Sequence, residues 1–363
     1  MRIQSCVPRL WQLVLLFVAS LMLLLVIPIA NADSDDLPTP VAGLSYGFYK
    51  KSCPKAENNV KRIMKPFLKS NVSQAAGVIR LFFHDCFVQG CDGSILINDT
   101  LGEQPSIPNQ TLRASALNVI EQIKANLESI CPNTVSCADV LALAAREAIR
   151  QAGGLRFEIP TGRRDSLNFS NSTIVLQNLP GPSFDLSQLV SSFSSKGLSI
   201  ADMITLSGAH TVGIAHCNSF SKRLRPTVDP RFNQKFANSL IQSCPNSSIN
   251  VAIDMDILTP NKFDNKYFRD LLNGKVLFNS DASLLNDSQT QAIVENYADD
   301  NDVFRSNFTI SFIKMSMIQV LTGNQGNIRK VCSVLNSKSS STATAIDSYI
   351  PAEFDTPLSY ASM

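Results

Sequence analysis

The stretch RLFFHDCFVQGCDGS at residues 80–94 decides the fold class and holds the first candidate site. On a helix, Arg80 and His84 are i,i+4 neighbours that share one face. The leucine and phenylalanines around them would keep the imidazole neutral near pH 7. A neutral imidazole beside a fixed cation can accept a proton next to a place where negative charge develops. Taken alone, such a pair is more often a core histidine beside a surface arginine.

The second half of this stretch, DCFVQGCDGS at residues 85–94, has the composition of a calcium loop. Asp85, Asp92 and Ser94 supply hard oxygen atoms, which suit Ca²⁺ better than a soft metal. Gly90 permits a sharp turn, and two cysteines in the same stretch could clamp it. A solvated acidic turn is the simpler alternative.

Two later clusters again contain a histidine or hard oxygen donors. LSGAHTVG at residues 206–213 places His210 among small residues that would let a flat group approach the backbone, and Thr211 follows as an oxygen donor. DMDILTPNKFDN at residues 254–265 again offers Asp and Thr oxygens at short spacing. His216 lies six residues after His210 and so on another face of a helix, which argues against a zinc pair.

The start of the chain predicts a secretory route. The chain has 363 residues, 44% of them apolar and 17% charged, which excludes a disordered protein. Two arginines precede an apolar run over residues 10–30, and Ala30-Asn31-Ala32 has the small residues of a cleavage site. These features predict a signal peptide over residues 1–32. A signal anchor is the alternative, because the run is long enough to span a bilayer.

Removal of that segment changes the cysteine and charge counts. Of the 9 cysteines, Cys6 is lost, so eight remain and predict four disulfides in an oxidising compartment. The spacing does not choose among the possible pairings. The remaining chain is formally neutral, which argues against a nucleic-acid partner. It also lacks tryptophan, and its eight N-x-S/T sequons suit a secreted glycoprotein.

Helical periodicity dominates the rest of the chain, which is therefore predicted to be mainly α. We expect one domain over residues 33–337 and a polar tail over 338–363 that is disordered or removed. Long loops over 98–113 and 160–185 are candidates for functional segments. The predicted helices cover residues 73–87, 114–130, 137–150, 200–214, 230–242, 288–298 and 302–321.

Six ordered motifs resemble the class III (secretory plant) haem peroxidases. They are FYKKSCP at 48–54, RLFFHDCFVQGCDGS at 80–94, VSCADVLALAAR at 135–146, GRRDS at 162–166, LSGAHTVG at 206–213 and FDNKYF at 263–268. The resemblance runs from about Leu44 to Asn336. It implies a mainly α haem peroxidase fold in which distal and proximal helical halves sandwich one haem b. It also implies four disulfides and two Ca²⁺ ions.

The resemblance assigns roles residue by residue. Arg80, His84 and Asn109 match the catalytic group, with Glu103 behind Asn109. His210 matches the axial ligand of the iron, and Asp281 matches the carboxylate that accepts its Nδ1–H. Phe83 matches the distal aromatic residue, and Pro180 matches the donor-binding proline.

The resemblance also implies ligand and disulfide sets. The distal calcium set is Asp85, Val88, Gly90, Asp92 and Ser94, where Val88 and Gly90 act through carbonyls. The proximal set is Thr211, Asp256, Thr259, Lys262 and Asp264, where Lys262 contributes its carbonyl. The implied disulfides are Cys53–Cys131, Cys86–Cys91, Cys137–Cys332 and Cys217–Cys244.

The implied activity is the reduction of H₂O₂ coupled to one-electron oxidation of two phenolic donors, of the cell-wall or lignin type or in an oxidative stress response. We expect a secreted, monomeric enzyme with no membrane partner, and a vacuolar destination if the tail is a targeting signal. Ile107, Ser183 and Ser219 stand where the family often has phenylalanines, which predicts a more open donor site. The alternatives are a calcium-binding glycoprotein without the chemistry and a zinc hydrolase, which the histidine spacing disfavours.

Overall fold

The computed structural model describes residues 37–246 and 251–336. The predicted signal peptide and the predicted tail lie outside the described residues, so the domain boundaries stay predictions. Within the described ranges the chain forms twelve α-helices, several short 3₁₀ turns and one two-stranded sheet. This confirms the prediction of a mainly α fold. In the same part of the chain, no helix is long and apolar enough to cross a bilayer.

The helices are joined by connections that range from a single residue to long loops. They are α1 (Ala56–Ser70), α2 (Gln74–Phe87), α3 (Ala114–Ile130), α4 (Cys137–Ala152), α5 (Ser172–Asn178), α6 (Leu186–Ser194), α7 (Ile200–Ser207), α8 (Gln234–Ser243), α9 (Lys266–Leu272), α10 (Asn279–Ser283), α11 (Ser288–Asp299) and α12 (Asn301–Met315). The strands are β1 (Ile214–His216) and β2 (Ala252–Asp254), which pair antiparallel.

The first half of the fold is built around α4. Every residue of α4 from Cys137 to Ile149 is buried, and α1, α2 and α3 pack around it. The Ser136 hydroxyl accepts a hydrogen bond from the Asp139 backbone N–H and caps the start of this helix. Gly153 ends it in the left-handed region, at φ 117°. Because α4 is buried on all sides and packs closely against α2, it fixes the helix that carries His84.

The second half continues the same hydrophobic core. Phe304, Phe308 and Phe312 line the inner face of α12, and Phe263 packs edge-on against Phe308 at 4.7 Å between ring centroids. Phe82 of α2 meets Phe312 at 5.3 Å. The two halves therefore share one core, which holds α2 in a fixed position relative to the later helices.

The predicted helix over 200–214 is wrong beyond Ser207. Helix α7 ends there, Gly208–Thr211 tightens into a 3₁₀ turn, and the chain then enters β1. Gly213, at φ 110°, supplies the left-handed backbone that an L residue rarely adopts. Pairing with β2, some forty residues later in the chain, competes successfully with continued helix. His210 consequently lies in the 3₁₀ turn and not on a helix.

The four disulfides are those that the resemblance implies. Cys53–Cys131, Cys86–Cys91, Cys137–Cys332 and Cys217–Cys244 are all formed. The last of these lies within a second, smaller hydrophobic cluster that includes Phe220, Phe232 and Leu277. The predicted helix over 230–242 begins only at Gln234, and the one over 302–321 already ends at Met315. Helices α1, α6, α9 and α10 lie outside the predicted ranges. Helix α5 lies inside the predicted loop over 160–185.

Candidate active site

His84 lies near the end of α2 and is held by an amide. Its Nδ1 is 2.5 Å from Oδ1 of Asn109, and the Nδ2 of Asn109 donates to the backbone carbonyl of Glu103 at 2.8 Å. Since Nδ2 is the donor to Glu103, Oδ1 is an acceptor and Nδ1 must carry the proton of the imidazole. The other nitrogen, Nε2, is therefore left with its lone pair free to accept a proton.

The surroundings of His84 keep it neutral. Burial and the charge of Arg80 lower its pKa to about 3, against a smaller opposing effect of the Asn109 hydrogen bond. Phe83 packs edge-on against the imidazole at 5.7 Å between centroids, and only 6% of His84 is exposed. This lowered pKa agrees with the prediction of a neutral imidazole, and burial among apolar side chains is its main cause, as expected.

Arg80 is positioned by the loop that carries Asn109. Its guanidinium donates to the carbonyls of Thr111 at 3.0 Å and Pro108 at 2.7 Å. The short 3₁₀ turn at Ile107–Asn109 thus fixes the orientation of His84 and of Arg80 together. Burial and the nearby charge of Arg113 lower the pKa of Arg80 to about 10, so the group stays cationic at neutral pH.

His210 is held by a carboxylate. Its Nδ1 is 2.8 Å from Oδ1 of Asp281, which lies in the short helix α10 and is 1% exposed. Burial disfavours the charged imidazole, but the charge and hydrogen bond of Asp281 outweigh it and raise the pKa of His210. The Phe278 ring packs edge-on against the imidazole at 5.5 Å. Nε2 of His210 accepts no hydrogen bond from the described residues, and 38% of the side chain is exposed.

One guanidinium acts on both imidazoles. The positive charge of Arg80 lowers the pKa of His84 and also opposes the rise in the pKa of His210. The backbone provides a second connection, because a Cβ at Gly213 would lie 3.2 Å from the Cβ of Ala76 in α2. The chain segment after His210 therefore runs against the helix of His84. Such a pair of nitrogen atoms with no protein partner suits a group that binds between them.

The residues of the distal calcium set lie together and are buried. Asp85 accepts backbone N–H groups of Gly93 at 3.0 Å and Ile95 at 3.4 Å, while Asp92 accepts that of Ser94 at 3.0 Å. Burial and the neighbouring Asp92 carboxylate raise the pKa of Asp85. The buried Ser94 hydroxyl has no hydrogen-bond partner among the described residues. Two buried carboxylates and an unpaired oxygen fit a hard cation.

Gly90 is required by the backbone of this loop. It adopts φ 108°, and a Cβ at this position would lie 2.5 Å from the carbonyl oxygen of Gln319. Val88 ends α2 and is fully buried, so its carbonyl lies within the same loop as the carboxylates. The predicted sharp turn at Gly90 is therefore confirmed.

The residues of the proximal set also lie together. Thr211 donates to Asp256 at 2.9 Å and to the Lys262 carbonyl at 3.3 Å, and Thr259 donates to Asp264 at 3.0 Å. Oδ2 of Asp264 is buried and accepts no hydrogen bond from the described residues, with the exposed Lys262 ammonium 3.4 Å away. This donor set also fits a hard cation. Each calcium set has two carboxylates. Among the described residues, no cluster of three or more His, Cys, Asp or Glu side chains is arranged to hold a metal ion.

The loop that carries Pro180 is connected to the proximal side. Ser280 donates its backbone N–H to the Pro182 carbonyl at 3.1 Å, and Asn279 donates to the Ser183 carbonyl at 3.0 Å. Both donors directly precede Asp281. Pro180 itself is half-buried at the end of α5. The candidate donor-binding loop is thus attached to the segment that positions His210.

Two sets of contacts in the site are not indicated by any pattern in the sequence. One is the pair of carbonyls that holds Arg80, and the other is the hydroxyl of Tyr267, which donates to Oδ1 of Asp281 at 2.8 Å. Tyr267 belongs to the quoted FDNKYF motif, but nothing in the spacing connects it with a carboxylate fourteen residues later. Only the folded chain brings the two side chains together.

The helical fold and the pair of differently partnered histidines agree with the haem peroxidase class that the motifs resemble. Residues 58–300 match the protein-family model described as Peroxidase. Peroxidase 12 of Arabidopsis thaliana is 47% identical over 313 residues, which cover 85% of this chain and 87% of that protein. Cationic peroxidase SPC4 of Sorghum bicolor is 44% identical over 310 residues, or 84% of this chain and 86% of that protein. The chain belongs to the class III plant peroxidases, enzymes that oxidise donor substrates with hydrogen peroxide.

Proposed function

We propose that His210 would hold the iron of a haem b and that Arg80, His84 and Asn109 process the peroxide. The observation that carries this proposal is the contrast in hydrogen-bond partners, an amide for His84 and a carboxylate for His210. An amide leaves a neutral proton acceptor, whereas a carboxylate makes the second imidazole a stronger electron donor.

The residues divide the proton chemistry between them. Nε2 of His84 accepts a proton from the oxygen of H₂O₂ that stays behind and delivers it to the oxygen that leaves as water. The Arg80 guanidinium stabilises the negative charge that develops as the O–O bond breaks. Asn109 keeps the Nδ1 proton in place, so that Nε2 remains the acceptor. Bound haem supplies the iron at which peroxide is reduced and the electrons that reduce it.

We propose two bound Ca²⁺ ions, each beside one of the histidines. The distal ion would take Asp85, Val88, Gly90, Asp92 and Ser94, and the proximal ion would take Thr211, Asp256, Thr259, Lys262 and Asp264. Asp85 follows His84 directly and Thr211 follows His210 directly. Each ion would therefore fix the backbone next to one imidazole.

The electron donors that we propose are small phenols, oxidised in two one-electron steps. Pro180 would contact the donor, and its loop is held at Asn279 and Ser280. Ile107 is 73% exposed, and Ser183 is exposed as well. Without aromatic rings at these positions, stacking of a small aromatic donor should be weaker by roughly 0.5–1.5 kcal/mol per ring. The physiological donors would be cell-wall phenols, including lignin precursors.

We infer a secreted monomer that carries N-linked glycans. The exposed sequon asparagines are Asn71, Asn98, Asn168, Asn171, Asn246 and Asn286. Asn109 also begins a sequon, but it is 2% exposed and both of its amide atoms are engaged. Its use would destroy the contact with His84, so we propose that this sequon stays empty. A glycan mapped to Asn109 in active enzyme would contradict this.

The test is an absorption spectrum followed by a donor panel. The purified protein should show a ferric Soret band that shifts on addition of H₂O₂ and returns as a phenol is consumed. A calcium-binding glycoprotein of the same fold would show no such band. Micromolar binding of a small aromatic hydroxamate would contradict the open donor site, and oxidation restricted to non-phenolic donors would contradict the substrate class.

A further inference from the structure

One oxygen of Asp281 accepts two hydrogen bonds. Nδ1 of His210 and the hydroxyl of Tyr267 each lie 2.8 Å from Oδ1. Oδ2 of the same carboxylate is buried and has no hydrogen-bond partner among the described residues. The His210 imidazole and the Tyr267 hydroxyl therefore share one carboxylate oxygen, and a change in one hydrogen bond must change the other.

The tyrosine hydroxyl is held rigidly in a dry environment. Tyr267 is fully buried, and its ring packs edge-on against Phe268 at 5.0 Å and against His210 at 6.0 Å. Helix α9 begins immediately after Asn265, whose amide donates to two carbonyls near the end of α11. This anchor holds the start of α9, and the buried packing of the Tyr267 ring keeps its hydroxyl beside Asp281. A charge-assisted hydrogen bond in such surroundings is stronger than one in water.

We propose that Tyr267 is a positioning residue that limits how strongly Asp281 attracts the Nδ1 proton of His210. By donating to Oδ1, the hydroxyl withdraws negative charge from the atom that accepts from His210. The imidazole then keeps more of its proton, and Nε2 is a weaker electron donor than it would be beside an undivided carboxylate. The proposal rests on the role of His210 as the haem ligand. In this proposal Tyr267 acts through Asp281 and His210.

The test is Tyr267→Phe in the haem-loaded protein, compared with Tyr297→Phe as the matched control. Tyr297 is also buried and also packs against Phe268, but its hydroxyl pairs with Thr205 at 2.7 Å. In Tyr267→Phe we expect a higher iron–histidine stretching frequency and a more negative Fe(III)/Fe(II) potential. A tenfold change in that one-electron equilibrium corresponds to about 59 mV. We expect neither quantity to change in Tyr297→Phe.

A second substitution has the opposite sign. Replacement of Tyr267 by 3-fluorotyrosine makes the hydroxyl a stronger donor, so the potential should become less negative and the stretching frequency should fall. The 3-fluorotyrosine protein tests the role of Tyr267 even if Tyr267→Phe does not fold. Equal behaviour of Tyr267→Phe and Tyr297→Phe, or shifts of the same sign in the phenylalanine and fluorotyrosine proteins, would overturn the proposal.

His210→Ala separates this proposal from the one on which it rests. In the native protein the iron–histidine vibration should be present, and His210→Ala should abolish it. A vibration that survives His210→Ala would contradict the assignment of the haem ligand. A vibration that His210→Ala removes but that does not move in Tyr267→Phe would contradict only the role of Tyr267.

Discussion

The surroundings of His84 and His210 differ in three respects. His84 ends a long buried helix, pairs with the neutral amide of Asn109 and has a pKa of about 3. His210 lies in a four-residue 3₁₀ turn, pairs with the carboxylate of Asp281 and has a raised pKa. The pKa of a histidine is thus lowered at one position and raised at the other within the same protein.

The contrast shows that the hydrogen-bond partner, and not burial alone, sets the role of each imidazole. Burial opposes the charged form at both sites. At His84 the hydrogen bond to the uncharged Asn109 amide compensates for only a small part of the effect of burial. At His210 the carboxylate outweighs burial. A neutral imidazole can accept a proton from peroxide, and an imidazole that shares its proton with a carboxylate can donate electrons more strongly to a metal.

His84→Leu should have the largest effect on this contrast. It removes the proton acceptor but keeps an apolar side chain in an apolar pocket. We expect the rate of reaction with H₂O₂ to fall by about 10²–10⁴-fold, the range for loss of general acid–base catalysis. The measurement is stopped-flow absorbance at the Soret band.

Retention of haem serves as the control for His84→Leu. The resting spectrum should keep its Soret band, because His210 and Asp281 are untouched. A variant that reacts with H₂O₂ at the native rate would contradict the role of His84.

Asn109→Asp should give His84 a carboxylate partner like the one that His210 has. A carboxylate beside Nδ1 raises the pKa of His84, so the imidazole carries a charge over more of the pH range and loses its free lone pair. We expect the rate with H₂O₂ at pH 6 to fall by about 10–100-fold. Asn109→Gln keeps the amide and serves as the control for charge. A rate in Asn109→Asp equal to that of Asn109→Gln would show that geometry matters and charge does not.

The sequence predicts the first of these regions better than the second. The helix over 73–87 was predicted within one residue of its true start, because its apolar periodicity is local. The helix over 200–214 was predicted seven residues too long, because pairing of β1 with β2 is a long-range interaction. The contacts of Asn109 and Asp281 with the histidines came from family resemblance, since no local pattern joins residues 25 and 71 positions apart.

Calcium removal should affect the second region more than the first. The loop after His84 keeps the Cys86–Cys91 disulfide when its ion is lost, whereas Thr211 is held by side chains and the Lys262 carbonyl. An ion present at about a hundredfold excess over its Kd stabilises by about 2.7 kcal/mol. Chelation should therefore lower the free energy of unfolding by a similar amount and broaden the Soret band.

Asp264→Asn tests the same difference without a chelator. It weakens the set beside His210 and leaves the set beside His84 intact, and Asp92→Asn does the reverse. We expect Asp264→Asn to move the iron–histidine frequency and Asp92→Asn to leave it unchanged. An unchanged spectrum and rate in metal-free protein would contradict the proposed role of both ions.

A change of pH should have the smallest effect on the rate with H₂O₂, and a rate that does not change between pH 7 and pH 5 is the informative result. The pKa of His84 in the folded protein, about 3, lies below the ordinary value of 6.5, so the folded protein keeps a neutral imidazole across that interval. An ordinary histidine would lose roughly thirtyfold of its neutral form at pH 5. We expect the rate with H₂O₂ to stay constant from pH 7 to pH 5 and to fall only as the pH approaches 3.

The same shift determines the sign of the stability change. Below about pH 6.5 the unfolded chain binds a proton at this histidine and the folded protein does not, so acidification disfavours the folded state. Stability from this group is therefore greatest above pH 6.5 and decreases down to about pH 3. In His84→Leu the unfolding free energy should decline less steeply over that interval. A rate that halves near pH 6.5 in the native enzyme would show that His84 titrates normally, and the contrast with His210 would then rest on position alone.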